Sequence, residues 1–127
     1  MRLETVGLAF EETRTLAGTG SDPVTITSAS STPMQGDWAN IEVRDESVAE
    51  HNDFDFAVIE YGGSSQFGCV EVWHDASVAV TDSTIRQCAD VGLQADTGAE
   101  LRDFVDNTLI ENLDGALQVG ANEVDQL

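Results

Sequence analysis

The sequence predicts an all-β protein, a single-stranded right-handed parallel β-helix (solenoid) of about five rungs occupying residues 1–127 as one domain. Three observations point there. Ser83-Thr84-Ile85 recurs 24 residues later as Asn107-Thr108-Leu109, and the same step carries Leu93-Gln94-Ala95 onto Leu117-Gln118-Val119. Each repeated triplet reads apolar, polar, apolar, the period-two alternation of a strand with one buried face. The triplets are separated by Gly, Asp, Asn and Ser, which make turns and argue against helices.

The elements follow in order along the chain. Residues 1–15 place Leu3, Val6, Leu8 and Phe10 together and fit either a first irregular rung or a capping segment. Ile41-Glu42-Val43 is the first clear strand triplet, and Val70-Glu71-Val72 lies one rung on, at a step of 29 that asks for a longer loop. From Val70 to Leu93 the step is 23. A rung of this length holds two or three short strands and suits a coil whose strands pair in parallel with the next coil, whereas hairpins need tight two-residue turns. Ile59, Ile85 and Leu109 form one predicted inward stack and Val72, Ala95 and Val119 another, with Phe54 and Phe104 filling wider parts of the interior. Thr84 over Thr108, and Ser83 beside Asn107, read as small polar ladders tying rungs together. The chain closes on Val124-Asp125-Gln126-Leu127 without an amphipathic cap, so self-association through strand edges at the solenoid ends is an expected homo-oligomer contact.

Charge excludes some functions. The 127 residues carry 24 acidic side chains against five basic ones, all Arg, for a net charge of -19. Such a field repels phosphate backbones and anionic lipid, so nucleic acid is not an expected partner. It fits either adaptation to salt or cation binding. No apolar stretch is long enough for a membrane span, and residues 1–20 do not read as a secretory leader. Cys69 and Cys88 are too few for a disulfide scaffold, and they fall at different phases of the repeat, so a bond between them needs particular turn geometry.

Several phrases carry a resemblance. Gly18-Thr19-Gly20-Ser21-Asp22-Pro23-Val24-Thr25-Ile26-Thr27-Ser28, Gly36-Asp37-Trp38 and Ile59-Glu60-Tyr61-Gly62-Gly63 resemble turns and rung junctions of right-handed β-helix proteins of the pectin-lyase-like superfamily. The resemblance covers most of residues 16–119 and implies fold more than activity. It also implies a secreted or cell-surface location and a ligand lying along one sheet. Family enzymes that act on acidic polysaccharides typically use calcium-binding Asp with an Arg or Lys base, a set that does not map here residue by residue.

Outward positions of successive rungs form columns about 4.8 Å apart. Glu42, Glu71, Gln94 and Gln118 form one, and Arg44, Trp73, Asp96 and Gly120 the next, with His74 and Trp38 at the rims. An indole stacks on the apolar side of a sugar ring while carboxylates and amides bond its hydroxyls, so Glu42, Arg44, Glu71, Trp73, Gln94 and Asp96 are the candidate ligand-binding face for a glycan. Arg44 beside Glu42 and Glu71 loosely imitates a lyase base, but an Arg keeps its proton and an ion pair explains the neighbours equally well. Glu71 and Asp96 suit the separation of a glycosidase pair, as do many pairs in so acidic a chain. Asp82 stacks on Asp106 at a step of 24 and, with Asp103 and neighbouring Asn107, makes a candidate calcium site; no other cofactor is implied. His51 and His74 stand apart from each other and from both cysteines, against zinc or a Cys-His nucleophile. The resulting expectation is a non-catalytic module that binds a glycan or self-assembles, the alternative being a polysaccharide lyase or glycoside hydrolase acting on an acidic polysaccharide.

Overall fold

A computed structural model describes residues 2–3, 8–10, 15–44 and 52–120. Fourteen short strands wind through them: β1 (Arg2–Leu3), β2 (Leu8–Phe10), β3 (Thr15–Ala17), β4 (Val24–Ser28), β5 (Ile41–Val43), β6 (Asp53–Asp55), β7 (Ala57–Glu60), β8 (Val70–Val72), β9 (Ser77–Thr81), β10 (Thr84–Arg86), β11 (Val91–Ala95), β12 (Glu100–Val105), β13 (Thr108–Ile110) and β14 (Gly115–Val119). Every third strand stacks. The first sheet runs β1-β4-β7-β10-β13, the second β2-β5-β8-β11-β14 and the third β3-β6-β9-β12, with parallel pairing throughout. The chain is a right-handed parallel β-helix of about four rungs, one fewer than expected, because β13 and β14 start a further turn that has no third-sheet strand among the described residues. Strands β1 and β2 carry the ladder into the first 15 residues, while Val6 and the C-terminal Val124-Asp125-Gln126-Leu127 lie outside the described residues.

Alternation in each strand builds the core. In β5 the side chains of Ile41 and Val43 are buried and Glu42 between them faces out. Register then stacks like on like: Ile26, Ile59, Ile85 and Leu109 in the first sheet; Ile41, Val70, Leu93 and Leu117, and Val43, Val72, Ala95 and Val119, in the second. In the third sheet Leu16, Phe54, Val80 and Phe104 follow one another. Burying an aliphatic side chain of this size contributes roughly 1.5–3 kcal/mol, and the columns repeat that gain on every rung.

From Ile41 onward, each change in the step has a local cause. Partners in the second sheet are 29 residues apart at Ile41 and Val70; the step falls to 26 at Asp53 and Ala79, and to 23 at Val70 and Leu93. The extra length of the rung from Ile41 to Val70 is therefore divided between the stretch from Val43 to Asp53 and the stretch from Ile59 to Val70, where a single longer loop was expected. The step rises from 23 to 24 within β12, where the register shifts between Leu101 and Asp103. Arg102 is the extra residue of this bulge. Its guanidinium donates to Ser77 Oγ (3.0 Å), to the Asn52 carbonyl (2.9 Å) and to Asp53 Oδ1 (2.7 Å), so one side chain ties together three rungs.

Two corners turn on left-handed residues that recur with the coil. Phe56 (φ 49°), Asp82 (φ 48°) and Asp106 (φ 57°) lead from the third sheet to the first, and Tyr61 (φ 68°), Gln87 (φ 55°) and Glu111 (φ 58°) leave the first. Polar side chains then close the turns. Ser83 Oγ accepts from Ala57 N–H (3.0 Å), and one rung lower Asn107 Oδ1 accepts from Ser83 N–H (3.0 Å) while its amide donates to the Val80 carbonyl (2.7 Å). Asn112 does the same at the other corner, accepting from Cys88 N–H at 3.0 Å. Each buried backbone donor is thereby satisfied from the rung below.

Candidate functional site

The second sheet presents the surface predicted for ligand binding. Glu42, Glu71, Gln94 and Gln118 are direct partners across β5, β8, β11 and β14. The adjoining column is held by backbone bonds just beyond the strand ends: Trp73 N–H donates to the Val43 carbonyl (2.9 Å), Asp96 N–H to Val72 (2.9 Å) and Gly120 N–H to Ala95 (3.2 Å). Glu42, Arg44, Glu71, Trp73, Gln94 and Asp96 thus share one face.

Their burial is unequal. Glu71 is only 8 % exposed, and its Oε2 accepts a bond of 3.3 Å from the Asn40 amide. Its carboxyl is held above the usual carboxylate range, first by burial, then by Asp96 and Glu42, with the Asn40 bond opposing them. Glu71 therefore keeps a proton to higher pH than an ordinary glutamate and can donate a hydrogen bond as well as accept one. Asn40, at the corner before β5, was not singled out by the sequence, since only the fold brings it to a residue 31 positions away.

Arg44 organises the other half. Its Nε and a terminal nitrogen both donate to Glu42 Oε2, at 2.9 and 2.6 Å, and its guanidinium carbon lies 4.9 Å from the centre of the Trp73 ring. The half-buried indole packs against the core. Gln94 and Asp96 are half-buried beside it, and His74 is exposed. Trp38 does not belong to this face: it is 1 % exposed, in the corner between β4 and β5, where its indole N–H donates to the Glu60 carbonyl at 2.9 Å. His51 lies outside the described residues.

The aspartates read as a calcium set have another explanation. Asp82 and Asp106 do stack, but both occupy left-handed turn positions, and Asp is among the few residues that take that conformation readily. Asp103 follows the bulge on β12, paired with Ala79 and not in the turn. Among the described residues no three His, Cys, Asp or Glu side chains group as a metal site, so the structure does not gather Asp82, Asp103 and Asp106.

The cysteines are bonded to each other, contrary to the phase argument. Cys69 and Cys88 have Cα atoms 5.6 Å apart and form a fully buried disulfide. Strand phase does not describe corners: Cys69 sits at the end of the loop entering β8 and Cys88 in the turn leaving β10, and both turns fold into the same corner of the coil.

No protein family, curated protein or solved structure matches the chain. Among the described residues no helix is long and apolar enough to cross a membrane.

Proposed function

We propose that the protein is a non-catalytic β-helix module whose second sheet binds a neutral glycan. The observation that carries this reading is the half-buried Trp73 indole set beside Glu71, Gln94 and Asp96 on a rigid stack of strands. An indole supplies a platform for a sugar ring, and acids and amides beside it supply fixed hydrogen-bonding groups for hydroxyls. Acidic groups outnumber the one arginine on this face, and the chain carries a net charge of -19, which makes the face unfavourable for a polyanion and favours neutral sugars over uronates. The parallel coil agrees with the likeness to pectin-lyase-like proteins, and a buried disulfide supports the secreted or cell-surface setting that this likeness implies.

Thermal melting with neutral and acidic oligosaccharides tests the reading, because a ligand that binds only the folded chain raises the midpoint. A rise with a neutral oligosaccharide that disappears in Trp73→Ala supports it; no shift with any sugar defeats it.

A second reading, cleavage of an acidic polysaccharide, is favoured by one observation: Glu71, buried beside Glu42 and Asp96, has its carboxyl held above the usual range, as a general acid needs. Release of reducing or unsaturated ends from a uronate polymer, lost in Glu71→Gln, would establish it.

A further inference from the structure

We propose that Arg44 is a latch over the glycan-binding indole, a residue that sets which ligands the face accepts by covering Trp73 until a sugar displaces it. This rests on the glycan reading of that face and adds to it a closed state and the group that closes it.

The geometry of the Arg44 and Trp73 contact supports the latch. Trp73 is partly buried and packs against the core, so only part of its surface is available to a sugar. The Arg44 guanidinium carbon stands 4.9 Å from the ring centre, within the range of a cation stacked on an aromatic face. A sugar stacking on an indole needs that same surface. The guanidinium is also tethered, since two of its nitrogens donate to one oxygen of Glu42, the outward residue of the same strand. A planar guanidinium can stack and pair at once, which a lysine ammonium does not do equally well.

Opening is local. Arg44 lies just beyond the end of β5, after the buried Ile41 and Val43, and its side chain is 28 % exposed, so the closing group belongs to the margin of the strand and not to the core. The latch subtracts from the affinity of every ligand and weighs most heavily on those too small to recover the loss through Glu71, Gln94 and Asp96.

Two measurements on the full chain test this, the first without ligand. Trp38 is fully buried, so acrylamide quenching of the two-tryptophan emission reports chiefly on Trp73. Arg44→Ala, with Arg44→Gln as a second variant in case the first fails to fold, should raise the quenching constant, because either change uncovers the ring. Glu42→Gln, which weakens the tether, should fall between these variants and the parent chain. In the second measurement, neutral oligosaccharide should bind the Arg44 variants about five-fold more tightly, the factor that loss of one cation–π contact on an exposed ring implies.

Unchanged quenching overturns the latch. Equal or weaker sugar binding by both Arg44 variants, with binding by the parent chain intact, also overturns it while leaving the Trp73 platform standing. Increased quenching with no sugar bound by the parent or the variants defeats the glycan reading itself, and the role of Arg44 with it.

Discussion

Gly62 lies flat against the Trp38 indole: a Cβ added at Gly62 would stand 2.6 Å from Trp38 Cζ2 and 2.7 Å from Cε2. No real side chain makes so close a contact, so the corner after β7 can pass the indole only because residue 62 has no side chain. The neighbouring backbone reinforces the packing. Both Gly36 and Asp37 N–H groups donate to the Tyr61 carbonyl (3.1 and 2.9 Å), and Asp37 Oδ2 accepts from Ser28 Oγ (2.6 Å) and Met34 N–H (2.9 Å). Gly36-Asp37-Trp38 and Tyr61-Gly62-Gly63, which stood out separately in the sequence, are two halves of one corner.

Gly62→Ala should therefore destabilise the fold by about 1–3 kcal/mol, the range for forcing a methyl into a filled core. Denaturant unfolding followed by far-UV circular dichroism reads this as a lower midpoint at unchanged slope. A midpoint equal to that of the parent chain would mean that the indole moves aside freely.

The steps of 24, 23 and 29 residues were legible in sequence because interior columns demand an apolar residue at the same place on each rung, and Ile85 over Leu109 or Val70 over Leu93 satisfies that demand visibly. The candidate face was legible for the same reason, since Glu42, Glu71 and Gln94 alternate with core residues in matching strands. Corners carry no such constraint. Their contacts depend on backbone direction at residues such as Tyr61 and Gln87, both in the left-handed region, and strand phase says nothing about that. Two departures follow from this. Trp38 was expected at the rim of the face and lies in a corner core, and the Cys69–Cys88 bond was hidden. The Arg44 contact with Trp73 escaped for a different reason: its backbone position was evident, but the direction of a long side chain was not.

The disulfide should matter more to stability than its two residues suggest. It closes a loop of 19 residues between the turn entering β8 and the turn leaving β10. In the chain-entropy account, a loop of that size stabilises the folded state by about 3 kcal/mol, by restricting the unfolded chain. The double variant Cys69→Ser, Cys88→Ser should lose about that much in denaturant unfolding. Brief treatment of the native protein with dithiothreitol should leave the bond intact, because both sulfur-bearing residues are fully buried. Rapid reduction without unfolding would show that the corner opens locally.

Glu71 makes the stability of the protein depend on pH in a direction opposite to that of an ordinary paired carboxylate. Its folded-state carboxyl titrates above the usual range, so between the unfolded and folded values the native chain binds more protons than the unfolded one. The stability linked to this group is fully present below the ordinary glutamate range and is lost as pH rises through the raised folded value. Glu71→Gln removes that loss, since an amide occupies the same space without ever becoming a charge beside Glu42 and Asp96. The difference in unfolding free energy, Glu71→Gln minus the parent chain, should grow as pH is raised from about 4 to 7, starting near the ordinary carboxylate value of ~4.3. Urea unfolding of both proteins at matched ionic strength measures it, with salt held constant because an acidic surface is itself salt-sensitive. A difference that shrinks with rising pH would mean that Glu71 is stabilised as its anion, and a face that prefers the anion would not present a protonated carboxyl to a sugar hydroxyl.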